Sequence, residues 1–193
     1  HVSNAYIERM KLRHQRRSGP LPLSIQLFTP LILMLCIIGG YAQAEETDQP
    51  PVILALGDSL VAGYGLPPGE SFPDKLADAL DAAGQPVEMI NAGVSGDTTA
   101  GGLARLGWVL TDTIDLLIIT LGGNDVLRSL PPEESKKNIA AIIEQARAAD
   151  PGIKILLTGM QAPPNLGEEY AAAFNPIYQQ LAAQYQVKLY GFF

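Results

Sequence analysis

Residues 51–60 read Pro-Val-Ile-Leu-Ala-Leu-Gly-Asp-Ser-Leu, and the build of this stretch decides the fold. Val52 to Leu56 is an unbroken apolar run, the pattern of a strand buried on both faces. It stops at Gly57, and a polar turn follows. Beyond that turn, Phe72, Leu76 and Leu80 recur at helical spacing and predict a helix over 71–83. The same unit then repeats in kind. Strands are predicted at 87–90, 116–121, 153–158 and 187–190, with helices at 98–110, 133–149 and 168–185 between them. Pro131 and Pro132 mark the start of the helix at 133–149, whose first turn is acidic. Five strands separated by helices predict an α/β domain, a three-layer α/β/α sandwich around a five-stranded parallel sheet.

Sheets of this kind bind ligands beyond the carboxyl ends of their strands, where the strand order reverses. Three polar turns occupy that position: Gly57-Asp58-Ser59-Leu60 after the first strand, Asn91 to Thr98 after the second, and Gly122-Gly123-Asn124-Asp125 after the third. If the first strand lies between the second and third, the turns meet on one rim. That rim would hold a serine hydroxyl, glycine N–H groups and an uncharged carboxamide, the parts of an acyl-transfer site. Each turn also has a plain structural reading. Asp58 and Ser59 could cap the next helix, Asp97 is expected to cap the helix at 98–110, and Asn124 could simply turn the chain. The three together, each after its own strand, favour the catalytic reading.

Composition narrows the function further. Of 13 basic and 20 acidic side chains, five and one lie in residues 1–44, which leaves the remainder at a net charge of -11. An acidic body does not attract phosphate backbones, so nucleic acid is not an expected partner. The first 44 residues run from a basic stretch (Arg9 to Arg17) through an uncharged apolar one to Ala42-Gln43-Ala44, the order of a secretory signal with cleavage before Glu45. Met10 is a plausible start. The expected organisation is a leader over 1–44, a linker over 45–50 and one domain over 51–193. The product is expected to be exported, periplasmic or secreted, with an uncleaved membrane anchor as the alternative. The lone Cys36 falls within the leader, so no disulfide is expected. Neither a G-x-S-x-G elbow nor a P-loop is present. Gly63 to Pro68 fails the dinucleotide fingerprint at its last position. With no His or Cys beyond residue 44, no metal or other cofactor is expected.

These turns resemble blocks I, II and III of the SGNH (GDSL) hydrolases, with similarity from about Val52 to Phe193. The closest likeness is to the bacterial periplasmic thioesterase, lysophospholipase and arylesterase subgroup. It is carried by Gly57 to Tyr64, Asn91 to Thr98, Gly101 to Leu106, Leu121 to Arg128, Met160 to Pro163 and Tyr170 to Phe174. The resemblance implies a flavodoxin-like SGNH fold and a serine esterase acting on small esters, thioesters or lysophospholipids, with no stable protein partner. It implies Ser59 as nucleophile, and an oxyanion hole from the N–H groups of Ser59 and Gly96 with the Asn124 side chain. Asp58 would shape the turn. The family takes its base and its acid from a late D-x-x-H block, followed by a last helix. The two histidines here, His1 and His14, fall in or before the leader. The sequence as given is thus expected to lack the catalytic His and Asp and the last helix, as a fragment or a product of low activity. A non-catalytic acyl- or glycan-binding domain on the same scaffold is the alternative reading.

Overall fold

A computed structural model describes residues 49–110 and 114–192. The leader expected at 1–44 lies outside the described residues. The chain from Asp48 onward forms one compact unit. Its sheet consists of β1 (Val52–Gly57), β2 (Glu88–Gly93), β3 (Leu116–Thr120), β4 (Lys154–Thr158) and β5 (Lys188–Tyr190). All pairings are parallel, in the order β2-β1-β3-β4-β5. β1 therefore lies between β2 and β3, as the convergence of the three turns requires. The order reverses there, because the chain steps outward from β1 to β2 and then crosses back to β3.

The helices are α1 (Ser59–Ala62), α2 (Phe72–Ala82), α3 (Thr99–Val109), α4 (Gly123–Leu127), α5 (Pro132–Ala149), α6 (Glu168–Phe174) and α7 (Ile177–Tyr185), with a 3-10 turn at Pro164–Leu166. Period-two alternation divides the sheet's side chains between its faces. Leu54, Leu56, Leu117, Ile119, Ile155 and Leu157 join the core cluster with Leu106 of α3, Ile139, Ile142 and Ile143 of α5, and Ile177, Tyr178 and Leu181 of α7. Burying each such side chain contributes about 1.5–3 kcal/mol. On the other face α2 packs by β2. Beside it an apolar groove of about 490 Å³ is lined by Phe72, Leu76, Ile118, Leu156 and Tyr190, among others.

Four details depart from expectation. The single helix expected over 168–185 is two, α6 and α7, broken at Asn175-Pro176. Proline has no N–H to continue the ladder, and the Asn175 side chain accepts from the Ala162 N–H at 2.8 Å. The first and third polar turns each wind into a short helix, α1 and α4. β2 runs on to Gly93, since Asn91 to Gly93 pair with Ala55 to Gly57. Finally, α3 is capped by Thr98, whose hydroxyl accepts from the Gly101 N–H at 3.2 Å. Asp97 is not the cap, because its carboxylate is drawn to Arg105 instead.

Candidate active site

Ser59 stands at the first position of α1, at the carboxyl end of the central strand. Asp58 sets the turn: its Oδ1 accepts from the Leu60 N–H at 3.0 Å and caps α1. The capping reading of this turn is therefore correct for Asp58, and it leaves Ser59 uncommitted. No hydrogen bond to the Ser59 Oγ or from its N–H is made among the described residues. The short helix closes with Gly63 in the left-handed region. Close approach also matters here. A Cβ on Gly93 would sit 2.7 Å from the Ala62 Cα, so only glycine lets β2 lie against α1.

The second turn holds Gly96 half-buried, at φ +85°. Its carbonyl accepts from Arg128 Nη2 at 2.8 Å, and its N–H has no acceptor among the described residues. Backbone also ties this turn to the first, through the Val94 N–H donating to the Gly57 carbonyl at 3.0 Å.

Asn124 bridges all three turns. Its Nδ2 donates to Asp58 Oδ2 at 3.0 Å and to the Asp97 carbonyl at 2.9 Å. Sequence reading gave this side chain the role of an oxyanion donor. In the structure its two amide protons join the serine turn to the glycine turn, so an arriving oxyanion has to share or displace one of these bonds. α4, which carries Asn124, starts at Gly122 with φ +116°. An added Cβ there would run into the Tyr178 hydroxyl, which donates to the Leu121 carbonyl at 2.8 Å.

Two further groups brace the site. Arg105, the one charged residue of α3, donates from Nε to Asp97 Oδ2 at 2.6 Å and from Nη2 to the Gly57 carbonyl at 2.9 Å. One guanidinium thus grips the residue before Asp58-Ser59 and the residue after Gly96. Asp125 turns inward, 2% exposed, and accepts from the Thr99 N–H at 2.8 Å, the Thr99 hydroxyl at 2.5 Å and the Ser135 hydroxyl at 3.1 Å. Sequence reading assigned no role to either residue. A lone charge seven residues after a helix cap was the available signal for Arg105.

The electrostatics follow from these contacts. Burial raises the Asp58 carboxyl above its usual range, and the hydrogen bonds from Leu60 and Asn124 oppose the shift. Burial likewise raises the Tyr178 hydroxyl, which stays protonated and keeps its bond to Leu121. The rim carboxylates are all engaged: Asp58 with Leu60 and Asn124, Asp97 with Arg105, Asp125 with Thr99 and Ser135. His1 and His14 lie outside the described residues.

A five-stranded parallel sheet with a serine turn beyond its central strand, flanked by a glycine turn and an asparagine turn, defines an α/β ester hydrolase of the SGNH type. Residues 55–193 match the GDSL-like lipase/acylhydrolase family, and the chain belongs to it. It is 42% identical over 164 residues to an arylesterase of Vibrio mimicus, an alignment covering 84% of this chain and 78% of that protein. To the thioesterase 1/protease 1/lysophospholipase L1 of Escherichia coli K12 it is 35% identical over 162 residues, covering 83% and 73%. Its fold is similar to the crystal structure of AlinE4, an SGNH-hydrolase family esterase, with a TM-score of 0.72 and 52% identity over 75% of this chain and 77% of that one. The chain is a carboxylic ester hydrolase of this family.

Proposed function

We propose that Ser59 is the nucleophile and that the enzyme forms an acyl intermediate on it. The observation that carries this reading is the pair of backbone donors, on Ser59 and Gly96, left without acceptors on two turns that Asn124 and Arg105 lock together. The Ser59 Oγ attacks the carbonyl carbon of an ester or thioester while its proton passes to a base. The carbonyl oxygen becomes an oxyanion held by the two N–H groups and Asn124. Each such donor is worth about 3 to 4 kcal/mol in the transition state. The intermediate collapses, the alcohol or thiol leaves with the proton, and water repeats the attack to release the acid. The proton acceptor is the histidine that the resemblance implies in a late D-x-x-H block; no described residue takes that place. Arylesters, acyl-thioesters and lysophospholipids are the substrate classes in view. The functional domain spans residues 51–193, and residues 1–44 direct export.

The test is ester hydrolysis by a full-length version carrying the D-x-x-H block and by its Ser59→Ala variant. A fall in kcat/KM of about a thousandfold or more is expected. Unchanged turnover would remove Ser59 from the mechanism.

A further inference from the structure

Among the described residues eight large apolar side chains are exposed, and five of them lie on the three connections that meet at Ser59; Tyr190 and Phe192 lie at and beyond the end of β5, the edge strand three places from β1. Singly scattered apolar residues on a surface are ordinary; their gathering at the end that carries the site is not. Leu60 belongs to α1 itself. Tyr64, 80% exposed, and Leu66 follow on the loop to α2, Val94 stands on the second turn, and Leu127, 79% exposed, ends α4. The loop stands clear of the body: a Cβ added at Gly65 or Gly69 would meet nothing within 4 Å. Trp108, at 90%, is the eighth. It lies near the end of α3, which leads away from the rim toward the amino ends of the strands.

Charge sharpens the picture. Residues 59–69 contain no charged side chain. Glu70 is paired with Lys75 at 3.0 Å, Asp97 with Arg105, and Asp58 and Asp125 are buried. On these three connections Arg128 is left as the one exposed cation among the described residues, and only its Nη2 is engaged, at the Gly96 carbonyl. These three connections are thus apolar and nearly neutral, while the exposed acids Glu133, Glu134, Glu168 and Glu169 open α5 and α6 at the same end, on a chain whose residues from 45 onward carry a net -11.

We propose that this rim docks on the surface of a zwitterionic lipid aggregate, such as a phosphocholine-headed bilayer or micelle, presenting Ser59 to acyl esters at the interface. The proposal rests on the reading of Ser59 as the nucleophile. Leu60, Leu66, Val94 and Leu127 would enter the headgroup–acyl boundary, where apolar side chains gain from burial. Tyr64 suits the same level, with an apolar ring and a polar tip. The remaining guanidinium donors of Arg128 match a lipid phosphate. An anionic surface is excluded by repulsion from the acidic body.

The native Trp108 provides a far-side control. Indole emission of the full chain is measured with vesicles of brominated phosphatidylcholine, for the parent and for a Tyr64→Trp/Trp108→Phe variant, and again with brominated phosphatidylglycerol. The expected result is a loss of emission from the indole at position 64 in phosphatidylcholine alone, with Trp108 of the parent unaffected. Adding Leu66→Ser and Leu127→Ser to the variant should restore the emission. An indole at position 64 that keeps its emission in phosphatidylcholine overturns the proposal. So does equal quenching at positions 64 and 108, or quenching that is stronger in phosphatidylglycerol. Adding Ser59→Ala should leave the quenching as it was, so failure of docking and failure of the nucleophile assignment register in separate experiments.

Discussion

The Nδ2 of Asn124 lies 3.0 Å from Asp58 Oδ2 and donates to it, so the turn after β3 is fastened to the turn that carries the serine. The same nitrogen fastens the glycine turn through the Asp97 carbonyl at 2.9 Å. Asn124→Ala should therefore lower kcat by about a hundredfold or more, the usual cost of losing an oxyanion donor. KM should move little, because the interaction strengthens only as charge develops. Steady-state kinetics on an aryl ester separates the two. A rise in KM at constant kcat would assign Asn124 to substrate binding alone.

Arg105→Met should reduce kcat by about a hundredfold, the scale on which a small misplacement of reacting groups acts. Its guanidinium sets the spacing between Gly57 and Asp97 without touching substrate, so Arg105 is a positioning residue. Arg105→Lys keeps the charge but not the two-pronged grip, and should recover only part of the rate. Full recovery by lysine would show that charge, and not the bridge, is what matters.

Asp125→Leu should destabilise the fold by about 3 kcal/mol, because it strands the buried Thr99 N–H and the Ser135 hydroxyl. Denaturant unfolding measures this. A loss within about 0.5 kcal/mol, the range of ordinary surface changes, would mean that these donors find other partners.

The Asp58 carboxyl has its folded pKa raised above the ordinary aspartate value of 3.8, chiefly by burial. The folded state therefore holds this proton more tightly than the unfolded state does. The associated stability is present below 3.8 and is lost as pH rises through the raised folded value. Asp58→Asn does not titrate. The stability of the parent minus that of the variant should thus decline as pH is stepped upward from 3.8 and then level off. Denaturant titrations of both proteins at each pH provide the comparison, and a difference that grows with pH would reverse the assignment.

The layering of the fold was open to reading because buried parallel strands are nearly uninterrupted apolar runs, as in Leu116 to Thr120. The rim was legible because its polar residues begin where those runs end. Asn175-Pro176 shows the limit of periodicity: apolar spacing continues through the break from Phe174 to Ile177, and the proline signal was outweighed by it. The cap of α3 shows a second limit. Asp97 and Thr98 are both good N-caps, and the choice between them was made by Arg105, which α3 brings back to the turn. No structural role was legible for Asp125, since its partners Thr99 and Ser135 are distant in sequence and meet it only in the folded chain.

Export of the chain should leave Glu45 as the new amino terminus, because Ala42-Gln43-Ala44 has the small-x-small form that precedes cleavage. Amino-terminal sequencing of the exported product reads this directly. A product that retains the apolar segment would establish an anchor in place of a signal.

The central claim is the acyl intermediate on Ser59, and trapping it is the most direct test. The enzyme is mixed with an activated aryl ester, quenched in acid during the first turnovers, digested and mapped by mass spectrometry. The account predicts the acyl mass on the peptide carrying Ser59, lost in Ser59→Ala and retained, with slower formation, in Arg105→Lys. An acyl group on another residue, or ester hydrolysis that persists in Ser59→Ala with no adduct on this peptide, would contradict it.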